Sequence, residues 1–258
     1  MNERPVTEVT DRASFVLALN PGLMTLDGTN TWILREPGAG RSVVVDPGPL
    51  EERHLQAVLA VAGDVGLILI THRHFDHTEG VGRFVQITGA PVRAFDPSLC
   101  IDAAPLTDGE VIDVDGLRLE IMATPGHTSD SVCVQLDADK SLLSGDSILG
   151  RGTTVIAHPD GALGPYLDSM RRIGDLIATG RVERILPGHG PVIDEPAAIV
   201  DYYIAHRADR LEQVRRAVEH GATTAREVVE VVYSDVDEVL WPAAELSVDA
   251  QLDYLNEA

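Results

Sequence analysis

The chain has 258 residues and a mass of 27.7 kDa, enough to bury a large core as one domain, or as one domain with an appendage. Its apolar fraction of 44% and charged fraction of 24% are those of an ordinary globular protein. With 41 acidic against 20 basic side chains the net charge is −21, which repels polyanions and counts against RNA or DNA as a partner.

The N-terminal residues 1–11 are polar and charged, without an apolar leader core, and no stretch is long enough to span a bilayer. Cys100 and Cys133 are the only cysteines and form no C-x-x-C pair. The expectation is a cytoplasmic protein with no membrane partner. In chain order, residues 14–19 and 31–35 read as the first strands. The turn signals Asn20-Pro21-Gly22 and Asp27-Gly28-Thr29-Asn30 flank an apolar tip, Leu23-Met24, between them. Ordinary hairpin packing of that tip is the expectation, with contact to a substrate as the alternative. A strand over 41–46 closes at Pro47-Gly48-Pro49, and a helix over 50–62 ends at Gly63.

The apolar run 66–70 reads as a buried strand. A helix over 79–87 and a strand over 92–95 follow. Short strands come next at 110–114, 117–122, 131–136 and 141–143, with Asp115-Gly116 as a tight hairpin turn and Cys133 as a buried small hydrophobe. Helical spacing covers 161–177, and a last strand spans 184–186. Strands and helices in two successive halves suit two packed sheets with helices outside. From Asp194 the pattern is all-helical: Asp194 as cap and Pro196 in the first turn of a helix to Gly221, Thr224 with Glu227 as a capping box, and a final helix from Trp241-Pro242. The expected division is 1–194 for the body and 195–258 for the appendage.

The stretch Thr71-His72-Arg73-His74-Phe75-Asp76-His77 follows the buried strand and holds three imidazoles and a carboxylate within six residues. Such donors suit Zn²⁺, Fe²⁺ or Mn²⁺. Three later turns, each bracketed by Gly or Pro at a strand end, supply His127, Asp146 and His189. A lone loop histidine is ordinarily not a ligand; four such junctions in one chain are a different matter.

The H-x-H-x-D-H motif, the later His127, Asp146 and His189, and their order resemble the metallo-β-lactamase fold superfamily of binuclear metal hydrolases. The resemblance covers roughly residues 14–194. It implies a four-layer αββα sandwich with metals in a groove at one sheet edge. It also implies one metal on His72, His74 and His127, another on Asp76, His77 and His189, and Asp146 bridging. A hydroxide held between two such cations, its pKa brought to about 7, would be the nucleophile, with Asp76 as the catalytic group that orients or deprotonates it. Asp46 is either a partner behind a ligand or a turn-forming Asp-Pro-Gly residue, and His158 is a candidate substrate contact.

Asn20-Pro21-Gly22 with Gly28-Thr29-Asn30-Thr31 resembles the beta-lactamase-like-protein-2 branch more closely, near glyoxalase II. That branch carries a small C-terminal helical, winged-helix-like appendage, and its members and their relatives include enzymes for single-stranded RNA and for thioesters. After Arg226 this sequence has no Lys or Arg, and with its end at Ala258 no wing is expected. The appendage therefore reads as a scaffold or lid, or a homodimer contact, and not as a phosphate reader. The expected function is a dinuclear zinc hydrolase of a small or carrier-bound ester or thioester. A metal-dependent endoribonuclease using Arg73, Arg151, Arg171 or Arg172 is the runner-up. A mononuclear-iron sulfur dioxygenase on His72, His127 and Asp146, or a binding module with a vestigial site, comes behind. His54, His206 and His220 read as exposed helical residues, Arg73 as solvated and Tyr166 as core.

Overall fold

A computed structural model describes residues 6–257; Met1–Pro5, the head of the segment read as lacking a leader, and Ala258 lie outside the described residues. Two sheets face each other. The first has the order β1 (Val6–Glu8), β2 (Ala13–Leu17), β3 (Asn30–Leu34), β4 (Arg41–Val45), β5 (Asp64–Leu69) and β6 (Val92–Arg93). It is antiparallel up to β4 and parallel from there. The second is an antiparallel meander of β7 (Val111–Val114), β8 (Leu117–Ala123), β9 (Val132–Leu136) and β10 (Ser141–Gly145), closed by the parallel strand β11 (Arg184–Pro187). Asp115 and Gly116 both take positive φ, as a two-residue turn between β7 and β8 demands.

Alternation along each strand sends side chains to two different cores. Trp32, Leu34, Val43, Val45, Leu67 and Leu69 meet Leu119, Ile121, Val134 and Leu143 between the sheets. Their neighbours Ile33, Val44 and Ile68 point outward against α1 (Glu52–Ala62) and α3 (Val81–Thr88). On the far side, Cys133, Leu142 and Ile185 pack on α4 (Leu163–Ala178) and on Val200 and Tyr203 of α5 (Pro196–Glu219). The layering is helix, sheet, sheet, helix.

The far end of α5 packs with α6 (Ala225–Val232) and α7 (Trp241–Glu257) around Val214, Val228, Val229 and Val248. Thr224 and Glu227 form the expected capping box on α6. Helix α5 thus serves both cores, and Ala250 and Tyr254 of α7 also reach the body. No helix among the described residues is long and apolar enough to cross a membrane.

Three local expectations are corrected. Asp194 does not cap α5; its carboxylate takes Arg184 at 2.7 Å, and Glu195 stands at the cap without a side-chain bond. The helix read over 79–87 is α3, begun two residues later, and a separate short helix, α2 (Phe75–Thr78), precedes it; between them Gly80 donates its N–H to Gly48 C=O at 2.8 Å. A β-carbon on Gly80 would meet that oxygen at 2.9 Å, so the chain bends where the loop presses on it. Leu23 and Met24 do not pack into their hairpin, being 64% and 52% exposed.

Candidate metal centre

Parallel pairing brings the C-terminal ends of β4 and β5 to one edge, and β10 with β11 does the same in the second sheet. Backbone bonds fasten the two edges together: Val132 N–H to Thr71 C=O at 2.9 Å and Asn30 N–H to Gly188 C=O at 2.8 Å. The chain leaves these strand ends carrying Asp46, the 71–77 stretch, Asp146 and His189, while His127 enters from the β8–β9 connection. All seven predicted donors meet in one pocket, and their atoms fall into groups whose members lie within 4.8 Å of one another. His72 and His74 lie 3.0 Å apart across ring nitrogens, as do His74 and His127; His77 and His189 lie 3.2 Å apart. Asp146 touches both clusters, with Oδ2 3.8 Å from His127 and 3.9 Å from His72, 3.4 Å from His189, and Oδ1 3.4 Å from His77.

Partners behind the rings fix which nitrogen faces inward. His127 Nδ1 lies 2.6 Å from Val155 C=O and His189 Nδ1 3.0 Å from Gly28 C=O. A carbonyl only accepts, so both rings carry a proton on Nδ1, outside, and turn Nε2 into the pocket. Asp46 does this for two rings at once. Its carboxylate accepts from Thr71 N–H at 2.8 Å, from the Thr71 hydroxyl at 2.6 Å and from His77 Nδ1 at 2.8 Å. The Thr71 hydroxyl, having donated, accepts from His72 Nδ1 at 3.0 Å. The close grouping of Asp46 with His72 and His77 is therefore an orienting arrangement and not a third ion site. Asp46 also holds φ of +52°, so both readings of it, partner and turn residue, describe the same side chain.

Ring nitrogens turned toward each other at about 3 Å need a proton or a cation between them. The charge distribution says where it belongs. Burial holds His72 well below the ordinary imidazole value, lowers His74, and takes His127 to about 4. Burial also disfavours charge at His77 and His189. There, however, Asp146 with Asp46 and Asp76 raises His77 well above its usual value, and Asp146 with Asp76 raises His189 to about 9. Against their own burial, Asp146 is held ionised by His189 and His77, and Asp76 by His77 and His189. One cluster is thus three neutral imidazoles, the other a charged, carboxylate-rich set. Asp146 Oδ2 faces both clusters, while Oδ1, on the His77 side, is buried with no hydrogen-bond partner. Imidazole and carboxylate donors so arranged fit divalent transition-metal ions.

A model of the metallo-beta-lactamase superfamily matches residues 24–189. The chain belongs to the metallo-beta-lactamase superfamily. A model of the beta-lactamase associated winged helix domain matches residues 224–257. The beta-lactamase-like protein 2 homolog of Drosophila melanogaster is 36% identical, over 98% of this chain and 90% of that protein. The atrochrysone carboxyl ACP thioesterase of Aspergillus fumigatus is 32% identical, over 88% of this chain and 75% of the relative. Among solved structures, a metallo-beta-lactamase family protein from Thermus thermophilus shares the fold with a TM-score of 0.79 at 22% identity, covering 96% of this chain and 94% of that one.

The seven candidate donors lie close together, and the side chains that support them include residues without a metal-ligand signal in the sequence. Asn20 binds Thr29 through both amide atoms at 3.0 Å, and the Thr29 hydroxyl donates to Asp76 at 3.3 Å. Asn30 donates to Pro187 C=O at 3.0 Å and Gly190 C=O at 2.9 Å, clamping the His189 turn. The Gly28-Thr29-Asn30-Thr31 run, legible in the sequence as a turn and a likeness, is the brace for Asp76 and His189. His54 is not exposed; it is fully buried, with Nε2 2.9 Å from the Thr31 hydroxyl. His206 is half-buried, and His220 is exposed as expected. Arg73 is exposed, as read, and pairs with Asp96, Asp130 and Asp160 at 3.3, 3.1 and 3.4 Å. His158 stands 3.2 Å from Asp253 on α7. Tyr166 is buried, its hydroxyl donating to Ser147 C=O at 2.8 Å.

Proposed function

We propose that this superfamily member is a dinuclear, zinc-preferring hydrolase of esters or thioesters, with His72, His74 and His127 holding one ion, Asp76, His77 and His189 the other, and Asp146 shared. The observation that carries the reading is the inward set of ring nitrogens: each of His72, His77, His127 and His189 is locked from behind so that its Nε2 faces the pocket. Two bound cations supply Lewis-acid charge and lower the pKa of a coordinated water to about 7. The remaining work falls to the chain. His74 and Asp76 are the only half-exposed members of the set, so a substrate carbonyl and water enter past them. Asp76, with one oxygen held by Thr29, is placed to orient the water and accept its proton. Asp146, ionised and buried, ties the two halves into one unit.

A thioester suits this pocket because a thiolate leaves without a strong general acid. The relative named as a thioesterase acting on a carrier protein supports a carrier-bound or small acyl substrate. An RNA substrate would need free cations at the groove. Arg151 instead pairs with Asp27, Arg171 with Asp168, and Arg172 with Asp108 at 2.9 Å, while Arg73 is taken by three aspartates. A single iron would leave most of the seven donors without a role.

Metal analysis beside turnover of acyl thioesters, with single-stranded RNA as control, tests the reading. The expected result is two zinc ions per chain, thioester hydrolysis and intact RNA. Asp146→Ala should lose turnover and metal together. Full activity in that variant, or cleavage of RNA in place of thioester, refutes it.

A further inference from the structure

The connection from β10 to α4, residues 146–162, touches both halves of the pocket. It begins with Asp146 itself. Gly150 N–H then donates to His189 C=O at 2.8 Å. Further on, Val155 C=O and the Thr154 hydroxyl stand 2.6 and 3.0 Å from His127 Nδ1. The C-terminal helices grip the outer side of the same connection. Tyr203 of α5 accepts Leu149 N–H at 2.9 Å, Arg207 of α5 donates to Thr154 C=O, and Leu246 of α7 accepts His158 N–H at 3.2 Å.

Arg207 is the unusual member of that grip. It is only 9% exposed, lies over the Tyr166 ring at 5.3 Å, and has no carboxylate within ion-pair reach among the described residues. Its Nε is buried without a hydrogen-bond partner. Burying a guanidinium without a counter-ion is unfavourable by several kcal/mol, and an apolar side chain would fill the space at less cost. What an apolar residue cannot do is hold the Thr154 carbonyl. That carbonyl belongs to the peptide joining Thr154 to Val155, so anchoring it sets the plane from which both partners of His127 project.

We infer that Arg207 is a positioning residue for the metal centre: from the C-terminal helices it holds the Thr154–Val155 peptide so that His127 keeps its proton outside and its lone pair in the pocket. The inference rests on the reading of His127 as a ligand. On this view the appendage is part of the metal-binding machinery and not an adjacent module. It acts on the half-site of His72, His74 and His127 and leaves that of Asp76, His77 and His189 to its own braces.

The test is Zn²⁺ competition against a chromophoric chelator, with Co²⁺ absorption as a second readout, on the full chain carrying Arg207→Met. Replacing a partner behind a metal-binding histidine costs 10–100-fold in affinity. Arg207 acts one bond further away, so one of the two ions should weaken by about tenfold while the other stays within about twofold. The Co²⁺ spectrum should change at the weakened site, and Arg207→Lys, which keeps charge and a donor, should recover part of the loss. In a His127→Ala background, Arg207→Met should cause no further loss. Two ions bound as tightly as in the parent with an unchanged Co²⁺ spectrum, or equal loss with and without His127, overturns the inference. If Arg207→Met does not fold, Arg207→Lys carries the same comparison, selective weakening of one ion supporting the inference and equal weakening of both overturning it. A parent chain that takes up no metal fails at the ligand assignment instead, a result distinct from either.

Discussion

Replacing Asp46 by Asn tests the way one carboxylate serves both halves of the centre. The residue sits at φ +52°, a conformation that Asn tolerates, so the substitution changes hydrogen bonding without adding backbone strain. Asp46 receives three donors on two oxygens: Thr71 N–H on Oδ1, and the Thr71 hydroxyl and His77 Nδ1 on Oδ2. An amide has one acceptor oxygen. With the oxygen at the Oδ2 position, the amide NH₂ confronts the buried Thr71 N–H; turned over, it confronts the hydroxyl and the imidazole. The milder choice leaves one buried backbone donor unpaired, about 1–3 kcal/mol of stability, and weakens two charge-assisted bonds. His77 and, through Thr71, His72 then have a neutral amide oxygen behind them in place of a carboxylate, which predicts a loss of metal affinity at the low end of the 10–100-fold range, about tenfold or about 1.4 kcal/mol. Urea unfolding of chelator-stripped protein gives the first quantity, and competition titration with Zn²⁺ the second. Asp46→Ala should be worse in the stripped protein, because Ala at that φ adds about 1–2 kcal/mol of strain. An Asn variant that binds Zn²⁺ as tightly as the parent would show that His72 and His77 need no carboxylate behind them.

Other substitutions separate the pocket from its frame. In Gly188→Ala the new methyl would meet Asp146 Oδ1 at 2.6 Å and His77 Cε1 at 2.8 Å, atoms at the tips of pocket side chains. Metal content and turnover should therefore fall far more than the unfolding midpoint, and equal loss of all three would contradict the clash. Thr224→Ala removes half of the capping box on α6, which should lower stability by about 1 kcal/mol with turnover unchanged; denaturant curves beside a rate assay check both. Adding a chelator should lower the melting temperature reversibly, since ions present at 100 times their dissociation constant stabilise the folded state by about 2.7 kcal/mol. A melting curve indifferent to both chelator and added Zn²⁺ would remove the ions from the native structure.

The candidate donors were legible because four crowd into residues 72–77 at a strand end, and each of His127, Asp146 and His189 sits in a Gly- or Pro-bracketed turn at another. The sheets were legible for a similar reason: buried parallel strands such as 67–69 are continuous apolar runs, and Asp115-Gly116 has few other uses. The misses have a common cause, a partner far away in sequence. His54 looks like any polar residue of an amphipathic helix until Thr31 is placed beside it. Gly80 looks like part of the first turn of a helix until the Gly48 loop lies on it. Asp194 is a good cap by local rule, but Arg184, ten residues earlier, takes its carboxylate.

The same distinction explains how the centre is built. The proposed ligands come from strand ends, where a rigid sheet sets position but says nothing about rotation of a ring about its own bonds. Rotation and tautomer are set by a second group of atoms: Gly28 C=O for His189, Val155 C=O for His127, Asp46 for His77 and, through Thr71, for His72. Gly28 and Asp46 lie before the ligand motif, in the hairpin and at the β4 end. Val155 lies after it, on a connection that the C-terminal helices hold. The two clusters are consequently braced from opposite ends of the chain, the carboxylate-rich one by residues 20–46 and the all-histidine one in part by α5. Disturbance of the N-terminal hairpin should loosen His189 and Asp76 first, and disturbance of α5 should loosen His127 first. Because Asp146 belongs to both clusters, neither can drift far before the other feels it.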